Sequence, residues 1–158
     1  DARNKNMKEL VNKMIKFREE FRPFAPSILE EYAGQYLKMD IPSPYMLFTT
    51  EVKEDKKSKI PAVTHVDGST RHQTVTKEQN SLYYDLIENF YKLTGVPVIL
   101  NTSFNLRSEP IVCTPAEAYL CFMRSGLDYL VLGNYLLIKK DQPPLNEDID
   151  WRKLFELD

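Results

Sequence analysis

The stretch from Glu78 to Asn105 constrains this chain of 158 residues more than any other. The spacing predicts a helix over 78–93, with Leu82, Leu86, Phe90 and Leu93 along one face and Gly95 as its stop. Val96 to Leu100 follows, short and wholly apolar, the pattern of a strand buried on both faces. Immediately beyond it lies a run of small polar residues, Asn101-Thr102-Ser103-Phe104-Asn105, with Arg107 two positions on. A helix feeding a buried strand that ends in polar groups is a unit of sheet proteins, and the exit of such a strand is where they commonly bind ligands.

The rest of the chain adds helices and strands in irregular alternation. Met7, Leu10, Val11, Met14 and Ile15 predict a helix over 4–15. Residues 16–24 mix charge with aromatics and end at a proline, reading as strand and turn. Pro26-Ser27 is expected to open a short helix through Tyr36. Tyr45 to Val52 is β-like, Lys53 to Lys59 is a charged surface loop or hairpin tip, and Ile60 to Val66 is a further strand. Asp67-Gly68 signals a turn into a paired strand, Arg71 to Thr76. Thr114-Pro115-Ala116-Glu117 is a helix start, with a cap, a proline at the first position and an acid in the first turn; that helix should end near Gly126. Tyr129 to Leu132 and Tyr135 to Ile138 are the last strands. Gln142-Pro143-Pro144 breaks the pattern, and a tail with Trp151, Leu154 and Phe155 is expected to dock on the body. The class is α/β or α+β with a mixed, twisted sheet flanked by helices.

Composition excludes some functions. A formal net charge of −2 supplies no global basic field for nucleic acid. No apolar run approaches the roughly 18 residues that a membrane span requires. Cys113 and Cys121 are the only cysteines and form no Cys-x-x-Cys pair, so no disulfide framework is expected and a cytoplasmic setting is the simplest reading. His65 and His72 stand seven apart without a carboxylate–histidine pattern, so no protein metal site is expected. The start, Asp1-Ala2-Arg3, is no signal peptide, and without an initiator Met the chain is expected to be a domain of a longer protein.

Two stretches carry chemistry. If 16–22 is extended, Lys16, Arg18 and Arg22 share one face, because side chains alternate. Three neighbouring cations repel one another, and an anion relieves that repulsion; arginine offers a fork for phosphate oxygens and lysine a compact charge. The plainer alternative is a solvated basic edge paired with Glu19 and Glu20. The second stretch, 101–105 with Arg107, offers hydroxyls, amides and a guanidinium, which orient ligands but form no nucleophile–base set; its plainer alternative is a capped polar turn. Arg71, beyond the Asp67-Gly68 turn, is a third candidate, against a simple hairpin.

Lys16-x-Arg18 with Ser103-x-Asn105 resembles the K-x-R…S-x-N signature of the YrdC-like fold. The wording around it is similar to one branch, the C-terminal domain of NodU/TobZ-type O-carbamoyltransferases. The segments that carry the resemblance are Lys16 to Ser27, Thr64 to Val75, Thr94 to Asn105, Glu109 to Pro115 and Gly126 to Tyr135, over roughly residues 1–140, leaving 141–158 as a tail. The resemblance implies an activating domain that binds carbamoyl phosphate and ATP, with Mg²⁺ bound alongside the nucleotide, and forms carbamoyl adenylate. It also implies an N-terminal actin-like domain, absent from this sequence, that transfers the carbamoyl group to an acceptor hydroxyl. On this resemblance Lys16, Arg18 and Arg71 bind phosphate groups, Ser103 and Asn105 orient the carbamoyl group and the nucleotide, and Arg22, Thr102 and Arg107 are further binding candidates. Ser108 departs from the family, which usually has glycine there; a positive φ at that position would make serine costly. Two rivals stay open: a non-catalytic nucleotide-binding or structural module, and a YrdC-like RNA-binding or tRNA-modifying role, which the near-neutral charge disfavours.

Overall fold

The computed structural model describes residues 1–39 and 41–147, so Trp151, Leu154 and Phe155 lie outside the described residues. The chain divides into two compact units, one of residues 1–8 and 23–102, the other of residues 9–22 and 103 onward. The predicted N-terminal helix is shorter than expected: α1 covers Met7–Val11 and gives way directly to a π-helical turn, Asn12–Lys16.

In the first unit the central strand is β1, Ala25–Leu29, with all five residues buried. The expected helix from Pro26 begins later, as α2 over Glu30–Tyr36. Pro26 pairs across to Leu100, and pairing on the other side of β1 begins only at Ser27, so the proline sits where the strand has one neighbour. Glu30 and Glu31 then supply negative charge to the first turn of α2.

The run 45–52 yields only β2, Thr50–Glu51. The charged segment expected to be a loop holds a single helical turn, α3, Glu54–Lys57, with its acids first and its lysines last, the order that a helix dipole favours. The strand expected over 60–66 is instead a 3₁₀ turn, Pro61–Val63, opened by the proline. Asp67-Gly68 does reverse the chain, with Gly68 at φ 82°, but β3, Ser69–Thr70, pairs antiparallel with β2. The next strand, β4, Gln73–Val75, runs parallel to β1.

Helix α4, Ser81–Thr94, forms close to where the periodicity places it. Asn80 Oδ1 accepts the Tyr83 N–H at 3.1 Å, and Gly95 ends the helix at φ 73°. Its buried face is not the expected one. Ile87 is fully buried against Leu29 and Val75, with Tyr83 and Tyr84 beside it. Leu82 and Leu93 are more than 80% exposed, at 81% and 87%. The tyrosine stripe fits the sheet better because it brings polar ends: Tyr83 Oη donates to Ser27 Oγ at 2.8 Å and Tyr84 Oη donates to Glu31. Strand β5, Val98–Asn101, pairs antiparallel with β1, which completes a mixed sheet in the order β4-β1-β5. Only Val98 of β5 is fully buried, so the strand is less enclosed than its apolar run implied.

In the second unit α5, Pro115–Arg124, starts as expected. Thr114 Oγ1 accepts the Glu117 N–H at 3.2 Å and Glu117 Oε2 accepts the Thr114 N–H at 2.9 Å. Ala118, Cys121 and Phe122 turn inward. The hairpin of β6, Tyr129–Leu132, and β7, Tyr135–Ile138, closes through Gly133 at φ 59° and Asn134. Leu130 packs inward, while Tyr129, Val131 and Leu136 are exposed. Lys139 Nζ donates to the Phe122 and Ser125 carbonyls, which places a cation at the end of α5. Gly126 lies against the π-helical turn: its N–H donates to Met14 O at 2.6 Å, and a Cβ there would stand 2.7 Å from Met14 Cβ. The chain is thus α+β with a mixed sheet. Among the described residues no helix is long and apolar enough to cross a membrane.

Candidate anion-binding site

Lys16 is the last residue of the π-helical turn, and Phe17 after it takes the left-handed conformation at φ 48°. This corrects the extended face inferred for Lys16, Arg18 and Arg22. A wide helical turn followed by a sharp reversal sends the three cations to different neighbours. π-helical turns recur at functional sites, because the extra residue re-aims a side chain.

The Lys16 ammonium is buried, with 4% of the residue exposed. It donates to Asn105 Oδ1 at 2.7 Å, Asn105 O at 3.0 Å and Ser103 Oγ at 3.1 Å, and also to Ser103 O. Ser103 Oγ donates to Asn105 Oδ1 at 2.6 Å. Three of the predicted residues therefore form one cluster, assembled from segments 87 residues apart in sequence. Burial, and then the Arg18 charge, push the Lys16 pKa down to about 8.

Arg18 belongs to the same unit and is held by a residue the sequence did not single out. Its Nε donates to Asn12 Oδ1 at 2.8 Å and its backbone N–H to Asn12 O at 3.1 Å. Asn12 is fully buried, and its Nδ2 donates to Arg22 O at 3.0 Å and Glu20 O at 3.3 Å. One amide thus organises the whole 18–22 loop. Burial and the Arg22 charge lower the Arg18 pKa, with Glu19 opposing them. Arg22 pairs with Glu19 at 3.1 Å, while Arg107 reaches Glu19 at 3.9 Å and Phe17 O at 3.4 Å. For these two arginines the plainer reading of a paired basic edge describes what is seen. Arg71 is exposed between β3 and β4, and Thr102 is exposed just after β5; both belong to the other unit.

The loop carrying Ser103 and Asn105 is fixed by groups that the sequence reading missed. Asn105 Nδ2 donates to Glu109 O at 2.7 Å, and Glu109 Oε2 accepts the Leu106 N–H at 3.3 Å. Arg124 Nη1 reaches Glu109 Oε1 at 3.3 Å and its Nη2 reaches Glu147 Oε1 at 2.6 Å. Ser108 stands at φ 62°, the strained conformation for which glycine is suited.

The sequence matches the family described as Carbamoyltransferase C-terminus over residues 1–139. This chain belongs to that carbamoyltransferase family. It is 43% identical to the nodulation protein NolNO of Sinorhizobium fredii, covering 98% of this chain and 22% of that protein. It is 44% identical to nodulation protein U of Rhizobium tropici, covering 68% of this chain and 19% of that protein. An uncharacterized protein of Synechocystis sp. is 48% identical across all of this chain and 29% of its own length. The chain therefore spans less than a third of the length of these relatives. The role of the family is related to carbamoyl transfer, and the Lys16–Ser103–Asn105 cluster lies within the matched segment.

Proposed function

We propose that this chain is the activating part of an O-carbamoyltransferase, binding carbamoyl phosphate and ATP and forming carbamoyl adenylate. The observation that carries the reading is the buried Lys16 ammonium, caged by Ser103 and Asn105 within the unit that also holds Arg18. A cation fixed before the ligand arrives stabilises charge on phosphoryl oxygens without reorganising at the moment of reaction. Loss of phosphate from carbamoyl phosphate to water leaves carbamate. A carbamate oxygen then attacks the α-phosphorus of ATP, and pyrophosphate departs. In this reading Lys16 and Arg18 hold phosphate oxygens, with Arg71, Arg22 and Arg107 as further binding groups. Ser103, Asn105 and Thr102 orient the carbamoyl group and the nucleotide. Mg²⁺ arrives with ATP, held by phosphate oxygens and water. Transfer to an acceptor hydroxyl falls to an N-terminal actin-like domain, in the cytoplasm.

A second reading has its own support. The four acceptors around this ammonium more than satisfy its three N–H donors, as a purely structural lysine staple also requires. Calorimetric titration with carbamoyl phosphate, then with ATP and Mg²⁺, separates the two when wild type is compared with Arg18→Ala. Binding that is lost in the variant supports the activating role. Binding that is absent from the wild type, or unchanged in the variant, favours the structural module.

A further inference from the structure

The amide of Asn105 has one orientation that its surroundings accept. Its Oδ1 takes hydrogen bonds from both Lys16 Nζ, at 2.7 Å, and Ser103 Oγ, at 2.6 Å. Its Nδ2 donates to Glu109 O at 2.7 Å. Turned over, the amide would face the Lys16 ammonium with a donor and the Glu109 carbonyl with an acceptor. Whatever fixes the Glu109 backbone therefore fixes the group that Lys16 and Ser103 share.

Residue 109 is itself fixed three times. Its N–H donates to Leu106 O at 3.3 Å, which closes a tight turn through Ser108 at φ 62°. Its Oε2 accepts the Leu106 N–H at 3.3 Å, which ties the turn from the other side. Its Oε1 meets Arg124 Nη1 at 3.3 Å, and Arg124 is anchored in the last turn of α5 and again by Glu147 at 2.6 Å. The Glu109 and Arg124 side chains are only 13% and 15% exposed. A pair so far removed from water contributes little net stability over an apolar replacement, which points to a geometric reason for its presence. A turn in a disfavoured conformation also persists only where its surroundings over-determine it.

We propose that Glu109 and Arg124 are positioning residues for the Lys16–Ser103–Asn105 cluster, holding the 105–109 turn so that Asn105 presents its oxygen to Lys16. This inference rests on the reading of that cluster as the carbamoyl phosphate site. Arg124 sets Glu109, Glu109 sets the turn, and the turn sets the amide that Lys16 uses.

The test is calorimetric titration of the chain with carbamoyl phosphate, in wild type, Arg124→Met, Arg124→Lys and Glu109→Gln, with exchange of the Leu106 amide followed by NMR. A cavity of about 170 Å³ lined by Glu109, Leu120, Cys121 and Arg124 leaves room for the methionine. Arg124→Met should weaken binding on the order of tenfold, Arg124→Lys should recover part of that loss, and Leu106 should exchange faster in Arg124→Met. Thr114→Ala is the control, because it weakens the start of α5 without touching Glu109 or Arg124. Equal weakening by Thr114→Ala would reduce the effect to general stability and overturn the proposal. So would wild-type affinity in both Arg124→Met and Glu109→Gln. Wild-type protein that fails to bind carbamoyl phosphate would overturn the anion-site reading first, and with it the geometry that Glu109 and Arg124 are said to serve.

Discussion

Raising the pH through 8 should change anion affinity and stability in opposite directions, because both depend on the Lys16 ammonium. Burial, followed by the Arg18 charge, lowers its pKa from 10.5 to about 8. Unfolded, the same lysine titrates near its ordinary value. Between those two values the unfolded chain holds the extra proton, so stability rises with pH across this window and is lost again as pH falls through about 8. The full span corresponds to about 3 kcal/mol at roughly 1.36 kcal/mol for each unit. Binding carries the opposite sign, because an anion is attracted only by the protonated form. The dissociation constant for carbamoyl phosphate should double near the Lys16 pKa and rise about tenfold one pH unit above it. The ligand does not confuse the measurement: carbamoyl phosphate is an acyl phosphate, whose second proton is more acidic than that of a phosphate monoester (about 6), so it stays a dianion from pH 7 upward. Calorimetric titrations from pH 7 to 9.5, with thermal melts in the same buffers, give both curves. A Lys16→Arg variant, charged throughout, should lose the pH dependence of whatever binding it retains. Wild-type affinity that stays flat to pH 9.5 would refute the reasoning, for it would mean either an ordinary Lys16 or an anion that binds elsewhere.

Three further outcomes follow from single residues. Ser108→Gly should stabilise the chain by roughly 1 kcal/mol, since serine at φ 62° carries a left-handed penalty that glycine does not; chemical denaturation measures it. Gly126→Ala should destabilise by about 1–3 kcal/mol, because the new methyl meets Met14 at 2.7 Å and pushes on the turn that ends in Lys16; anion affinity should fall with it in the same titration. His72 is fully buried and, among the described residues, neither of its ring nitrogens is in hydrogen-bond geometry, although the nearby Ile41 backbone partly opposes the effect of burial. Burial holds its pKa below 6.5, so its contribution is complete above that pH and lost as pH falls further. Melts from pH 7 to 5 should therefore drop more steeply in wild type than in His72→Leu.

The parts of this molecule legible in its sequence are those fixed by neighbours along the chain. The Thr114–Glu117 capping box, Gly95 at the end of α4 and the last two strands, Tyr129–Leu132 and Tyr135–Ile138, are each decided within a few residues, and each stands where its signal placed it. What failed was decided across the chain. Pro26 reads locally as a helix start, but Ser27 is claimed by Gln73 and Ile99 on either side. The leucine stripe of α4 has the better periodicity, yet the tyrosine stripe answers the polar Ser27 beneath it. At the candidate site, Lys16, Ser103 and Asn105 were legible as residues while their geometry was not, since nothing local signals a π-helical turn. Asn12 and Glu109 gave no warning, because each acts through backbone groups whose proximity only the folded chain creates.

The π-helical turn also sets what kinds of change the N-terminal segment tolerates. Lys16 reaches Asn105 only because the turn from Asn12 ends where it does. Leu10, just ahead of the turn, is 41% exposed, and Lys13 within it is exposed as well; substitution there leaves the phase of the turn unchanged. Adding or deleting one residue between Val11 and Lys16 would instead swing the ammonium by about 100° around the axis and aim it away from the loop. Over natural variation this stretch should therefore keep a constant length together with its buried Asn12 and Lys16, and drift in composition only at exposed positions such as Lys13.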